Sequence, residues 1–413
     1  MSSPIADQIN PARVIGDLTK LRQMGVFKTG VHRPTLSKEH VQSLDWLAAE
    51  LPKAGLIPTI DGIANVLGVS SKPGPKLLAG SHLESQNEAG WLDGPLGVVY
   101  ALEAARVLNT APGFVGAVEV AAWCDEEGHF GNFLGSGSYV GDVGDAELDQ
   151  AVDRTLGRTL RGALAEAGYA GRQRVTVEKG RHVGYFEAHI EQGDWLESSN
   201  LKIGVVTSIV GIWQFKIIIT GTQNHAGTTR MAIRRDAGLA AVKLLMALDE
   251  AFAKQGGPRT VRTTGRITLE PGAPSIIPGR AEVLFQFRDD DPVLLARLEA
   301  MLREIAASHA KAGPCPIEVI KLRGSTPARM NEGFQSAIEN AAKVHAGGKS
   351  VRMPSGAGHD AQVLSAVMPA AMLFVPSIGG ISHHWTENTS DEDIITGAQV
   401  FASACAEILA GTG

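Results

Sequence analysis

The sequence predicts an α/β protein, a large domain on a mixed sheet interrupted by a smaller inserted α+β unit. Three patterns lead there. Through residue 211, short apolar runs (LLAGS, AVEVAAW, VGYFEAHI) alternate with helical stretches such as GVVYALEAARVL. Between Ile212 and Arg329 the order becomes strand, helix, strand, strand, helix, strand. After that, AAMLFVPSIGGISHH returns to the first pattern.

Taken in order, the opening MSSPIADQINPARVIGDLTKLRQMGVFKTG lacks the continuous apolar core of a signal peptide. No later stretch reads as long enough to span a bilayer, so a cytoplasmic protein is expected. The first part of the large domain covers 1–211. The insertion, 212–329, runs through strand WQFKIIITG, helix RRDAGLAAVKLLMALDEAFAKQG, strands VRTTGRITLEP and AEVLFQFRDD, helix DPVLLARLEAMLREIAASHAKAG and strand IEVIKL. That βαββαβ order is the ferredoxin-like split βαβ unit, which folds as its own layer. The large domain resumes after GSTPARMN and fills 330–413.

Composition excludes some functions. A chain of 413 residues can bury a full core, and its net charge of −6, with acids and bases interspersed, gives no basic patch for nucleic acid. Cys124, Cys315 and Cys405 are an odd number without CxxC spacing, so neither a disulfide framework nor a cysteine zinc site is expected. The glycine phrases GSGSYVG and SGAGHDA match neither GxGxxG after a first strand nor GxxxxGK[ST]. A GxSxG elbow and an HExxH helix are also missing, so serine-hydrolase and mononuclear zincin chemistry lack their marks.

The informative residues follow the strand-like runs. His82, Asp93, Glu126 and Glu127 stand in GSHLESQNEAGWLDG and WCDEEGHFG, His189 in FEAHIEQG, and His383 with His384 in GISHHWTEN. A dinuclear metal site needs imidazoles and carboxylates converging from separate loops, one carboxylate bridging and one unligated carboxylate to activate water. In open α/β sheets such a site lies beyond the carboxyl ends of the strands, where residues distant in sequence meet. Each residue alone has a blander reading. His189 could be a hydrogen-bonded core histidine, Asp93 a turn residue before Gly94, Glu126 and Glu127 a solvated loop, and His383 with His384 surface. Their joint occurrence at successive strand ends favours the metal site.

The phrases GSH, LDG, DEEG, HIEQG, NHAGTT, SGAGHDA and GISH, in this order over nearly the whole chain, resemble a known family. It is the binuclear amidohydrolases of the hydantoinase/carbamoylase type, which include N-carbamoyl-L-amino-acid hydrolase, β-ureidopropionase and allantoate amidohydrolase. They are related more distantly to aminoacylases and metallo-exopeptidases. The resemblance implies a dinuclear metallohydrolase domain whose inserted unit is a lid and dimerisation domain. It makes His82 and His189 ligands of separate metals, Asp93 the bridge, Glu127 and His383 the remaining ligands, and Glu126 the base. His383 is preferred to His384 because the family's GISH ends on the ligand. Two divalent ions are implied, and zinc, manganese, cobalt and nickel all suit such ligands.

The same resemblance makes His225 of NHAGTT an oxyanion donor from the partner subunit of a homodimer. The blander reading of His225 is a turn or capping residue. Arg288 of FQFRDDD takes the position that clamps a substrate carboxylate with its two-pronged donor, against the alternative of a surface ion pair with Asp289, Asp290 or Asp291. Gln192, Ser275, Gly358 and His359 are further substrate contacts by the same likeness. Four positions depart from the family. Glu84 stands where an Asp usually orients the metal-bound imidazole, Ser275 replaces an Asn, Gln286 an acid, and Arg230 a proline.

The expected activity is hydrolysis of a linear amide or ureido bond, with an N-carbamoyl-L-amino acid giving amino acid, ammonia and carbon dioxide. Allantoate or ureidoglycolate hydrolysis is the rival, followed by N-acyl amino acid or dipeptide hydrolysis. A non-catalytic binding protein that kept the fold is the reading from a different class.

Overall fold

The computed structural model describes residues 8–411. The chain divides into two compact units, Met1–Thr207 with Arg329–Gly413, and Ser208–Ala328.

The larger unit is built on a nine-stranded mixed sheet. At its centre four neighbours run parallel in the order Ala370–Val375, His182–Ile190, Lys76–His82, Ala117–Trp123. Their near-continuous apolar sequence follows from burial on both faces, as parallel strands require. Val66–Val69 and Ile57–Ile60 extend the sheet antiparallel beyond Ala117–Trp123, and Ile203–Ile209 pairs antiparallel with Ala370–Val375. Because the four central strands share one direction, their carboxyl ends open on one edge.

Helix Pro95–Leu108 fits its place by starting on proline, whose missing N–H costs nothing in a first turn. Nearly all its residues are buried, between the central strands and helix Asp391–Ala410. That last helix corrects one expectation. Its 20 residues are long and apolar enough to cross a membrane by length and composition, yet most of it is buried in this core. Ser390 caps its start by accepting the Asp393 N–H, and the acids Asp391, Glu392 and Asp393 complement the helix dipole there.

The smaller unit has strands Gly211–Thr220, Val261–Glu270, Arg280–Asp289 and Ile317–Gly324, with helices Ala237–Gln255 and Pro292–Ala312 on one face. The sheet order is Val261–Glu270, Arg280–Asp289, Gly211–Thr220, Ile317–Gly324, all antiparallel. Strand Arg280–Asp289 alternates cleanly. Ala281, Val283, Phe285 and Phe287 face the helices, while Glu282, Leu284, Gln286 and Arg288 stand half-buried on the open face. A short ladder joining Asn224–His225 to Ile276–Ile277 and the single turn Met231–Ile233 are elements here that the periodicity did not disclose.

Candidate metal centre

Each proposed ligand sits at or just past the carboxyl end of a central strand. His82 closes Lys76–His82, and Asp93 follows it in the turn before helix Pro95–Leu108. Glu126 and Glu127 come after Ala117–Trp123, His189 is the penultimate residue of His182–Ile190, and His383 lies in the loop after Ala370–Val375. Asp125, Gln192 and His383 adopt positive φ of 64, 58 and 54°, a costly backbone for residues with side chains that gathers where function demands it.

Two trios of donor atoms result, His82–Asp93–His189 and Asp93–Glu127–His383, with atoms in each trio within 4.8 Å of one another. Asp93 Oδ1 is 3.0 Å from His189 Nε2 and 3.5 Å from His82 Nε2. Its Oδ2 is 3.4 Å from His383 Nε2, which lies 3.8 Å from Glu127 Oε2. Ligand bonds of about 2 Å in tetrahedral array place donor atoms roughly 3.3 Å apart, so the donor set fits a pair of divalent cations sharing Asp93. One implied assignment needs correction. His82 and His189 end adjacent parallel strands and face the same oxygen of Asp93, so they belong to one trio and not to separate ones.

Glu126 joins neither trio. Its Oε2 is 3.7 Å from His82 Nε2, and burial pushes its carboxyl well above the ordinary range against the pull of His82. Asp93 goes the other way: burial opposes its charge, but His189, His383 and His82 outweigh that and hold it well below. Hydrogen bonding to Asp93 lifts His383 to about 9.

The supporting residues are partly unexpected. His82 Nδ1 faces the backbone carbonyl of Glu84 at 3.1 Å, and not the Glu84 carboxylate, whose nearer oxygen is 4.0 Å away. The longer side chain instead turns to the backbone, accepting the Glu126 N–H at 2.6 Å. Gln86 binds the Glu127 carboxylate through both its backbone N–H, 3.1 Å, and Nε2, 2.7 Å. Glu387 accepts the N–H groups of Asp93 and His383 at 3.3 and 3.2 Å, tying two ligand loops together. Asp125 accepts from Thr35 Oγ1, His129 N and Gly131 N, which closes the loop carrying Glu126. All three lie inside the informative phrases, yet spacing alone gave no reason to pick them out. Gln192 donates to Asp93 Oδ2 at 2.9 Å. His359 is buried, edge-on to His189 with ring centres 4.7 Å apart, its Nε2 against Ser355 Oγ. Gly358 is tight against Phe133, whose ring a Cβ would meet at 2.9 Å. His384 Nδ1 faces Thr386 Oγ1 in the exposed part of the loop.

In the smaller unit, His225 is exposed, and its Nδ1 accepts the N–H groups of Gly227 and Thr228 at 3.0 and 3.2 Å. It is thus a turn-forming residue, and that bonding leaves the ring proton on Nε2. Ser275 supports the same turn through its carbonyl, which accepts the Ala226 N–H. The acids beside Arg288 each have another partner. Asp289 accepts from Thr260, Asp290 pairs with Arg259, and Asp291 caps helix Pro292–Ala312. Arg230 is exposed at the start of the short turn Met231–Ile233.

Residues 73–407 match the family model described as peptidase family M20/M25/M40. The chain is similar to the N-carbamoyl-L-amino-acid amidohydrolase of Paenarthrobacter aurescens, 32% identical over 94% of this chain and 95% of that one. It is equally similar to the allantoate amidohydrolase of Bacillus subtilis, 32% identical over 90% of each. A crystal structure of an amidase (hydantoinase/carbamoylase family) from Burkholderia phymatum is 44% identical, with a TM-score of 0.90 over 98% of this chain and 99% of that one. A family model matched over residues 73–407, a shared fold and a likeness running through nearly the whole chain place it in peptidase family M20/M25/M40, among its hydantoinase/carbamoylase amidases.

Proposed function

We propose that the chain hydrolyses a linear ureido C–N bond with two divalent cations, and that an N-carbamoyl-L-amino acid is its substrate, giving amino acid, ammonia and carbon dioxide. The observation that carries this is Asp93, which turns one oxygen to His82 and His189 and the other to His383 beside Glu127, with Glu126 left over. When bound, zinc, manganese, cobalt or nickel in such a pair polarises a carbonyl and acidifies water.

The chain's own groups supply the rest. Glu126, mostly buried and outside both trios, takes a proton from water and returns it to the departing nitrogen, without which an amide cannot leave. His225 presents Nε2–H, the donor a developing oxyanion needs, and in the homodimer it comes from the partner subunit. Arg288 binds the substrate carboxylate, with Gln192, Ser275, Gly358 and His359 completing the contacts. The dimer is supported by the smaller unit, where Val261–Glu270 is an edge strand and Leu239, Val242 and Met246 form an exposed apolar stripe on helix Ala237–Gln255. Allantoate or ureidoglycolate hydrolysis is the second reading, favoured by the likeness to the Bacillus subtilis enzyme.

The test is to strip the protein of metal, reload it separately with zinc, manganese, cobalt and nickel, and assay ammonia from N-carbamoyl-L-amino acids, allantoate and ureidoglycolate. Ammonia from carbamoyl amino acids with one metal is the expected result. Glu126→Gln should then lower kcat by about 10²- to 10⁴-fold with metals retained. A reloaded protein inert on every ureido compound sinks the reading.

A further inference from the structure

Glu84 leaves His82 to its own backbone carbonyl, and its buried carboxylate is engaged elsewhere. Oε1 accepts the Glu126 N–H at 2.6 Å. Oε2 lies 3.4 Å from His40 Nε2, though without hydrogen-bond geometry. His40 Nδ1 accepts the Leu36 N–H at 3.0 Å, so the neutral ring carries its proton on Nε2, toward Glu84. Burial keeps that ring neutral, lowering its pKa to about 4 despite the pull of Glu84. Arg33 is also fully buried and donates to the carbonyls of Leu83, Leu21 and Met24. Its charge acts on both Glu84 and His40.

Three buried side-chain atoms of these residues have no hydrogen-bond partner, Arg33 Nη2, His40 Nε2 and Glu84 Oε2, the last two 3.4 Å apart. Buried polar groups are seldom left unmatched, and two donors with one acceptor are what a single water satisfies.

We propose that Glu84, His40 and Arg33, joined by one buried water, form a positioning network that sets the Glu126–Glu127 backbone and thereby aims a base and a metal ligand together. The inference rests on the proposed function only in taking Glu126 as the base and Glu127 as a ligand. Glu84 is a positioning residue, since it reaches the chemistry only through the Glu126 N–H. Its length matters. An aspartate, one methylene shorter, cannot hold that N–H and still face His40.

The experiment compares Glu84→Asp and His40→Phe with the unaltered chain, each loaded with cobalt. Metal per chain, the visible cobalt absorption, kcat and KM for an N-carbamoyl-L-amino acid, and the unfolding midpoint are all recorded. The expected result is retained cobalt, an altered absorption band, and a kcat lower by about tenfold or more with KM within about twofold, the usual effect of losing a residue that orients a ligand. A lowered unfolding midpoint with unchanged absorption and kcat in both variants assigns the network a packing role and overturns the proposal. Should Glu84→Asp fail to fold, His40→Phe decides by the same two readouts. If the unaltered holoprotein turns over no ureido compound but the variants still shift the cobalt band, the functional reading has failed and the positioning inference stands.

Discussion

Gly94 shows how little room the metal loop leaves. Its φ of +84° is a conformation that favours glycine, and a Cβ there would lie 2.5 Å from two atoms of the His82 ring and 2.6 Å from the His82 carbonyl. Neither neighbour can retreat, because His82 Nδ1 is fixed on the Glu84 carbonyl and its backbone belongs to a central strand. Gly94→Ala should therefore push His82 off the Asp93 oxygen it shares with His189. The expected outcome is a metal content below that of the unaltered protein in elemental analysis, with a loss of stability of about 1–3 kcal/mol in chemical unfolding. Unchanged metal content would mean that the loop tolerates the displacement.

Strands set the positions of these residues, and one strand carries a charge device of its own. Glu119, buried on Ala117–Trp123, accepts from Ser70 N at 2.8 Å, Arg181 Nη2 at 2.6 Å and faces His182 Nε2 at 2.9 Å. Burial alone would raise its pKa, but these partners outweigh it and bring the value from 4.5 to about 2. A depressed carboxylate stabilises the fold above its unfolded pKa and loses that contribution as the pH falls through the folded one. The difference in unfolding midpoint between the unaltered chain and Glu119→Gln should thus be full near neutrality and shrink between about pH 4.5 and 2, as thermal scans can follow. A constant difference across that window would remove Glu119 from the account. The elements themselves were legible in the sequence because their periods are local: the continuous apolar runs of the parallel strands and the alternation in Arg280–Asp289 each announce their burial. That the candidate ligands follow strands was legible for the same reason. What the sequence concealed are partnerships made by tertiary approach. Nothing near His40 marks it as facing Glu84, nothing near Glu387 says that it will tie Asp93 to His383, and no spacing says that His82 and His189 share an oxygen.

For the whole molecule, the remaining question is assembly. The stripe of Leu239, Val242 and Met246, exposed at 43%, 54% and 68%, sits on the same unit as the edge strand Val261–Glu270, and covering both with a second copy removes two liabilities at once. Val242→Glu combined with Met246→Glu should convert the proposed dimer to a monomer in analytical ultracentrifugation. If His225 serves the neighbouring subunit, turnover should fall with it. A double variant that sediments as the unaltered chain would assign the stripe another role. Asp93 has a further consequence at this scale. With the proposed pair of cations bound, its two oxygens would be a wall common to two rooms, and emptying one room would leave the whole carboxylate to the cation in the other. A chelator should then take the second cation less readily than the first, and partly stripped samples should hold many half-loaded molecules.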